Sequence, residues 1–164
     1  MTENNDTNYI EVGELNNTVY VKVVGTGNFK NSNPFKEFIH LMIQRNVSSF
    51  IVDLGLCSSL DSTFMGVIAG LSILLKEKCE KMLTLVNINS HILNLLTTLG
   101  IDHFITIDPI KQQGPNNLQS ISDKKVSKKK LAKNMIDAHT ALMSISEENR
   151  IKFQNVFEFL QKEL

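Results

Sequence analysis

The 164-residue sequence predicts an α/β domain, a mixed sheet of about five strands with helices packed on it, followed by a helical extension. Three observations carry this reading. Strand-like and helix-like stretches alternate between residues 9 and 107 in the order ββαβαβαβ. Two of the strand-like runs, Phe50–Leu54 and Met82–Val86, are apolar almost throughout, as strands covered on both faces are. The stretches between them repeat apolar residues at helical spacing and begin at residues suited to capping a helix.

The elements follow in order. Residues 1–8 are polar and read as a flexible N-terminus. Tyr9–Val12 and Thr18–Val24 read as strands. Gly13 to Asn17 supplies turn chemistry between them, so the two pair as a hairpin. Gly25-Thr26-Gly27-Asn28 ends the second strand, and Pro34 opens a helix with Ser32 or Asn33 as its cap. Phe35, Phe38, Ile39, Met42 and Ile43 form the apolar face of that helix. After the Phe50–Leu54 strand, a loop through Cys57–Leu60 leads to Asp61-Ser62-Thr63 and a second helix reaching about Lys78. The Met82–Val86 strand precedes a third helix, capped by Asn89 or Ser90 and stopped at Gly100. Phe104–Ile107 is the last strand, ended by Pro109.

The domain therefore spans 9–108. Residues 109–130 read as a polar linker, with Pro109, Gly114 and Pro115 followed by Lys124, Lys125, Lys128, Lys129 and Lys130. Residues 131–164 read as a helical extension. Leu131, Met135, Ala138, Leu142 and Ile145 recur at alternating spacings of four and three, and Ser144 with Glu147 suggests a capping box that restarts a second helix. The stripe of that helix is Ile151 or Phe153, then Val156, Phe157, Leu160 and Leu164. An amphipathic helix does not leave its apolar face in water, so the extension either folds back on the domain or forms a homodimer or partner contact.

Composition removes several classes of function. Lys+Arg and Asp+Glu are 17 each and hydrophobic residues make up 42%, which excludes global disorder and any overall drive toward nucleic acid or acidic membranes. The balance conceals an asymmetry: residues 1–107 hold 7 basic against 10 acidic residues, and residues 108–164 hold 10 against 7. The lysine run lacks interleaved aromatics and reads as a solvated charge run. No basic stretch precedes an apolar one at the N-terminus, and the apolar stretch Phe64–Leu75 is too short to span a bilayer, so a cytoplasmic protein is expected. Cys57 and Cys79 read as reduced thiols. His40, His91, His103 and His139 have no metal-site spacing and read as satisfied or solvated side chains, so no metal and no cofactor is expected. Gly25-Thr26-Gly27 lacks the frame of a phosphate loop. No nucleophile, base and orienter converge, so the chain is not expected to be an enzyme, and no catalytic residue is assigned.

The most informative segment runs from the strand Ile51-Val52-Asp53-Leu54 to Asp61-Ser62-Thr63-Phe64-Met65-Gly66. Asp61 or Ser62 caps the helix in the structural reading, its oxygen satisfying backbone N–H groups of the first turn. In the functional reading the same geometry presents a serine at a helix N-terminus, where a phosphate is favoured by the dipole and adds roughly −1.5 to −2 charges without unfolding the helix.

Residues 9–107 resemble a STAS domain, the fold of bacterial anti-sigma factor antagonists. The likeness lies in the "IVDL" strand, the "LDSTFMGV" turn and helix, and the "LTLVNINSHILNLLTTLGIDHFITI" stretch. Asp61, Ser62, Thr63 and Gly66 match the family's D-S-[ST]-G-L-G motif, while Phe64 stands in place of its Gly and Met65 in place of its Leu. The resemblance implies a regulatory protein-binding module in a partner-switching pathway of transcription control. It implies phosphorylation of Ser62, with Thr63 as the alternative, by a serine kinase that is also the anti-sigma factor, and reversal by a serine phosphatase. The implied partner surface comprises Asn28, Asp61, Ser62, Thr63, Phe64, Met65 and Gly66. Many family members carry an acidic residue where Asn28 stands. The alternative reading is a non-phosphorylated STAS adaptor or scaffold subunit that assembles through its surface and C-terminal helices.

Overall fold

The structure, a computed structural model, describes residues 7–111, 113–122 and 125–164. Residues 1–6 of the expected flexible N-terminus, and Lys124 of the lysine run, lie outside the described residues.

The fold class is the one the sequence predicts. Strands β1 (Tyr9–Leu15), β2 (Thr18–Gly27), β3 (Ser49–Asp53), β4 (Cys57–Leu60), β5 (Leu83–Val86), β6 (Ile105–Asp108) and β7 (Gln119–Ile121) form one mixed sheet. Its order is β6-β5-β3-β2-β1-β7, and β4 also pairs with β2. The helices are α1 (Ser32–Gln44), α2 (Ser62–Cys79), α3 (Ser90–Thr98), α4 (Lys128–Ile145) and α5 (Glu147–Gln161), with a 3-10 turn at Ile101–Phe104.

β1 and β2 form the expected hairpin, but β1 runs on to Leu15 and the turn is only Asn16-Asn17. Both asparagines take left-handed φ, +52° and +59°, which suits the twist of a two-residue hairpin and which asparagine tolerates well. β2 is ten residues long and is shared by two neighbours. Its first half pairs parallel with β3; its last three residues pair parallel with β4, with a register shift between Gly25 and Thr26.

Two strands exceed the five expected. Cys57–Leu60 was expected as loop and Gln119–Ile121 falls in the expected linker; both are short, and neither shows the apolar alternation that marks a strand in sequence. The continuous apolar run at Phe50–Leu54 suggested burial on both faces, yet β3 alternates: Phe50 and Val52 are buried while Ile51 is half-buried. The face bearing Val19, Val21 and Val23 of β2 joins Phe50, Leu83 and Leu85 in one core with Phe35 of α1, Phe64 and Ile68 of α2 and Ile92 of α3. On the other face, residues 113–118 come over the sheet, with Gly114 against the Tyr20 ring and Leu118 against Gly13.

Caps differ in detail from expectation. Asn31 precedes α1 without a side-chain capping bond, where Ser32 or Asn33 was expected. Asp61 caps α2 and Asn89 caps α3, each among the expected pair. Gly100 follows α3 with φ +74°. The helix restart lies two residues beyond the expected Ser144: Ser146 Oγ accepts from Asn149 N at 3.1 Å, while Ser144 Oγ donates back to the Ala141 carbonyl.

Of the two fates open to the extension, the structure shows the intramolecular one. α4 lies along α2, and α5 folds back against α4. The Gly66 position meets the Ala138 carbonyl so closely that a Cβ there would stand 2.3 Å from its oxygen, and Gly70 faces Ala141. The buried side of α4 is Ala132, Asn134, Ala138, His139 and Leu142, a line offset from the expected stripe because small residues set the approach. Of the stripe expected for the second helix, Phe153 and Leu160 are buried, whereas Ile151, Val156 and Leu164 are exposed, as is Phe159 outside it. Among the described residues no helix is long and apolar enough to cross a membrane.

A candidate regulatory site at the start of helix α2

The pairing of β4 with the end of β2 decides where α2 begins. Asp61 N donates to the Gly27 carbonyl at 2.9 Å, holding the last residue before the helix against the β2 terminus. Gly27 is required there: a Cβ would come within 2.6 Å of the Leu60 side chain and 2.9 Å of the Phe64 ring. Asp61 is extended (φ −84°, ψ 171°), as an N-cap is. Its Oδ1 accepts from Phe64 N and its Oδ2 from Phe29 N, both at 2.8 Å. One carboxylate thus satisfies a first-turn donor of α2 and anchors the loop between β2 and α1, and its charge suits the positive end of the helix.

Ser62 is the first residue of α2 and is half-buried. Its Oγ lies 3.1 Å from Nε2 of His139 on α4. The other ring nitrogen of His139, Nδ1, lies 2.6 Å from the Met135 carbonyl, which can only accept. Nδ1 therefore carries a proton, and with the ring neutral Nε2 is left as the acceptor for Ser62 Oγ–H. His139 is 2% exposed, with its ring edge-on to Phe153 at 5.4 Å between centroids. The expectation of a satisfied histidine holds for it; its contact with Ser62 is an addition that sequence reasoning missed.

The remaining residues of the implied surface divide. Asp61 and Ser62 come together at the turn, with Asn28 one loop away. Asn28 is turned inward on its own loop: its Oδ1 accepts from Lys30 N and Asn31 N, while its backbone N donates to Asn31 Oδ1. Thr63, Phe64, Met65 and Gly66 are buried. The Phe64 ring stacks on Phe35 and is 0% exposed, so this side chain belongs to the core and not to the surface.

His91 Nε2 is 3.4 Å from Ser59 Oγ. Burial, then the neighbouring Lys36 and Lys78, pushes the His40 pKa down. Burial pushes the Cys57 thiol up, which favours its inert protonated form. Among the described residues no three His, Cys, Asp or Glu side chains gather as a metal site would require.

The site is thus an aspartate-capped serine that opens a core helix beside a mixed sheet. The family model for the STAS domain matches residues 9–113, and the chain belongs to that family. Among solved structures it is similar to the crystal structure of TM1081 from Thermotoga maritima, a candidate anti-sigma factor antagonist. That match has 19% identity and a TM-score of 0.56, over 62% of this chain and 87% of that one. The solution structure of TM1081 matches at 18% identity and a TM-score of 0.55, over 59% and 78% of the two chains. The anti-sigma factor antagonist SpoIIAA in its unphosphorylated form matches at 16% identity and a TM-score of 0.51, over 62% and 89%. No curated protein matches the sequence.

Proposed function

We propose that this STAS protein is a regulatory binding module of the anti-sigma factor antagonist kind, switched by phosphorylation of Ser62. The observation that carries the reading is the place of Ser62: first residue of α2, directly after the capping Asp61, on the Asp-Ser-Thr sequence shared with the antagonist motif. The likeness to TM1081 and SpoIIAA supports it. The partners are a serine kinase acting as anti-sigma factor and a serine phosphatase. A phosphate at Ser62 adds charge beside Asp61, and a partner shaped for the neutral turn would meet repulsion or unpaired desolvation. The chain purified from its host is expected to carry phosphate on the peptide containing Asp61–Gly66. Ser62→Ala is expected to bind the host's anti-sigma kinase constitutively, and Ser62→Asp at least tenfold more weakly. Equal binding by the two variants removes the switch.

A second reading, an assembling adaptor, is favoured by one feature. Ile151 and Phe159 of α5 are 66% and 63% exposed, and Val156 and Leu164 are exposed on the same helix or its end. Large apolar side chains grouped this way mark association surfaces more often than scattered ones do. If α5 joins two copies, sedimentation shows a dimer for the full chain and a monomer for Phe159→Glu; a monomer in both cases removes this reading.

A further inference from the structure

We infer that the α4–α5 hairpin is a displaceable cover over the Ser62 face of α2, so that kinase and partner reach this site only when the hairpin undocks. The inference rests on reading that face as the partner-binding one, and it adds the regulation of that site.

Ser62, Gly66 and Gly70 stand four residues apart along α2 and so share one side of the helix. α4 occupies that side. His139 receives the Ser62 hydroxyl, the Ala138 backbone fills the space over Gly66, and Ala141 faces Gly70. Transfer of a γ-phosphoryl group forms the Ser62 Oγ–P bond as the bond to the leaving nucleoside diphosphate breaks and the hydroxyl proton passes to a base of the kinase, and it needs room for the donor in line behind the phosphorus. In the docked state the hydroxyl proton is engaged by a buried imidazole and the adjoining turn of α2 lies under α4. The His139 ring and the α4 backbone over Gly66 stand where a kinase would approach, so docking and phosphoryl transfer compete for the same side of α2.

The contact is built to come apart. Along α2 it is made from small residues and polar bonds; the large apolar groups that the hairpin adds to the core are Leu142 and Phe153, with Met143 and Ile145 partly buried against it. Two ion pairs clasp α4 to α1, Lys36–Asp137 and Lys130–Glu37; all of their side chains but the half-buried Lys36 are about half exposed, where such pairs contribute little and weaken with salt. Lys128, Lys129 and Lys130 occupy the first turn of α4, the end of the helix dipole that disfavours cations. Asn134 is buried and donates to Ser32 Oγ, but its Oδ1 has no hydrogen-bond partner among the described residues, a penalty that undocking relieves. A groove of about 390 Å³ between α1 and α4 runs beside it, so the seam is open to solvent on one side. The net charges, acidic for residues 1–107 and basic for 108–164, favour reclosure.

The test uses the full chain with Ser62→Cys, alone and combined with Ala138→Glu or Gly66→Ala. The first opener places a charge in the seam from the α4 side. The second places a methyl group against the Ala138 carbonyl from the α2 side. A small maleimide is the probe, with labelling at position 62 read by peptide mass spectrometry so that Cys57 and Cys79 are scored separately, and amide hydrogen exchange is followed in the same samples. Both openers are expected to raise labelling at 62 at least tenfold, and to speed exchange of α4–α5 amides at least tenfold while β2, β3 and β5 stay within threefold of the parent. Labelling at one rate in all three proteins overturns the cover. So does exchange of the hairpin and the sheet in a single step, or loss of the sheet in both openers, since the hairpin is then an inseparable part of the fold. None of these readouts involves a kinase. A hairpin that opens while Ser62→Ala and Ser62→Asp bind the kinase alike leaves the cover standing and removes only the phosphorylation switch.

Discussion

Phe64→Ala is expected to lower the unfolding free energy by about 3–5 kcal/mol, the usual cost of deleting a buried aromatic ring. The ring is wholly buried and stacks nearly parallel on Phe35, 5.2 Å between centroids. Its neighbours cannot easily close the space left behind. On one side lies the β2 terminus, where Gly27 already approaches as near as a residue without a side chain can. On the other lies α1, tied to the Phe35 ring. Urea denaturation of Phe64→Ala and Phe64→Leu checks this, with the leucine variant losing less than half as much. If Phe64 served only as a surface contact for a partner, Phe64→Ala would stay within about 0.5 kcal/mol of the parent.

Asp61→Ala is expected to be the next most damaging change at the site, at about 2–3 kcal/mol. It removes two charge-assisted bonds at once, one to Phe64 N within α2 and one to Phe29 N across the β2–α1 loop. Loss of a helix cap alone costs about 0.5–2 kcal/mol, so a value at the low end would mean that only the capping bond contributes. Asp61→Asn separates the two bonds, because an amide retains one accepting oxygen and is expected to recover about half the loss. Amide exchange adds a local readout: Phe29 N and Phe64 N should lose protection together in Asp61→Ala.

The sheet-and-helix order is legible because buried strands and amphipathic helices repeat at different periods, and those periods survive in Phe50–Leu54, Met82–Val86 and the face from Phe35 to Ile43. β4 escapes notice because Cys57-Ser58-Ser59-Leu60 has no such period; its pairing follows from the extra length of β2, a property of another segment. β7 escapes for the same reason, as it adds only three residues to β1. Chain reversals show smaller errors. The hairpin turn narrows to Asn16-Asn17 because asparagine accepts left-handed φ without a glycine, and the start of α5 moves to Ser146 because serines at 144 and 146 are equally plausible caps until Asn149 selects one.

At the site, everything local is legible and the distant contact is not. Asp61 and Ser62 declare a cap and a reachable hydroxyl from their own neighbourhood. His139 lies 77 positions away, on a helix that the sequence alone leaves free to dock on the domain or on a partner. A signal for that contact exists in α2 itself. Its buried residues include Phe64 and Ile68, and also Gly66, Val67 and Ser72, so they surround the helix instead of forming one stripe. A helix apolar on all sides, with Ser62, Gly66 and Gly70 in register, asks for a second helix pressed close upon it.

The three residues of β7 carry a consequence for anyone handling the domain in isolation. They pair with Ile10, Glu11 and Val12 of β1, which otherwise lies at the rim of the sheet. A chain cut after Asp108 would bare a row of unsatisfied β1 amides and carbonyls beside the buried Ile10 and Val12. Such a rim is a template on which other molecules add strands and precipitate. The segment that resembles a spacer in sequence is thus a guard against aggregation, and an excised domain keeps that guard only if it extends past Ile121.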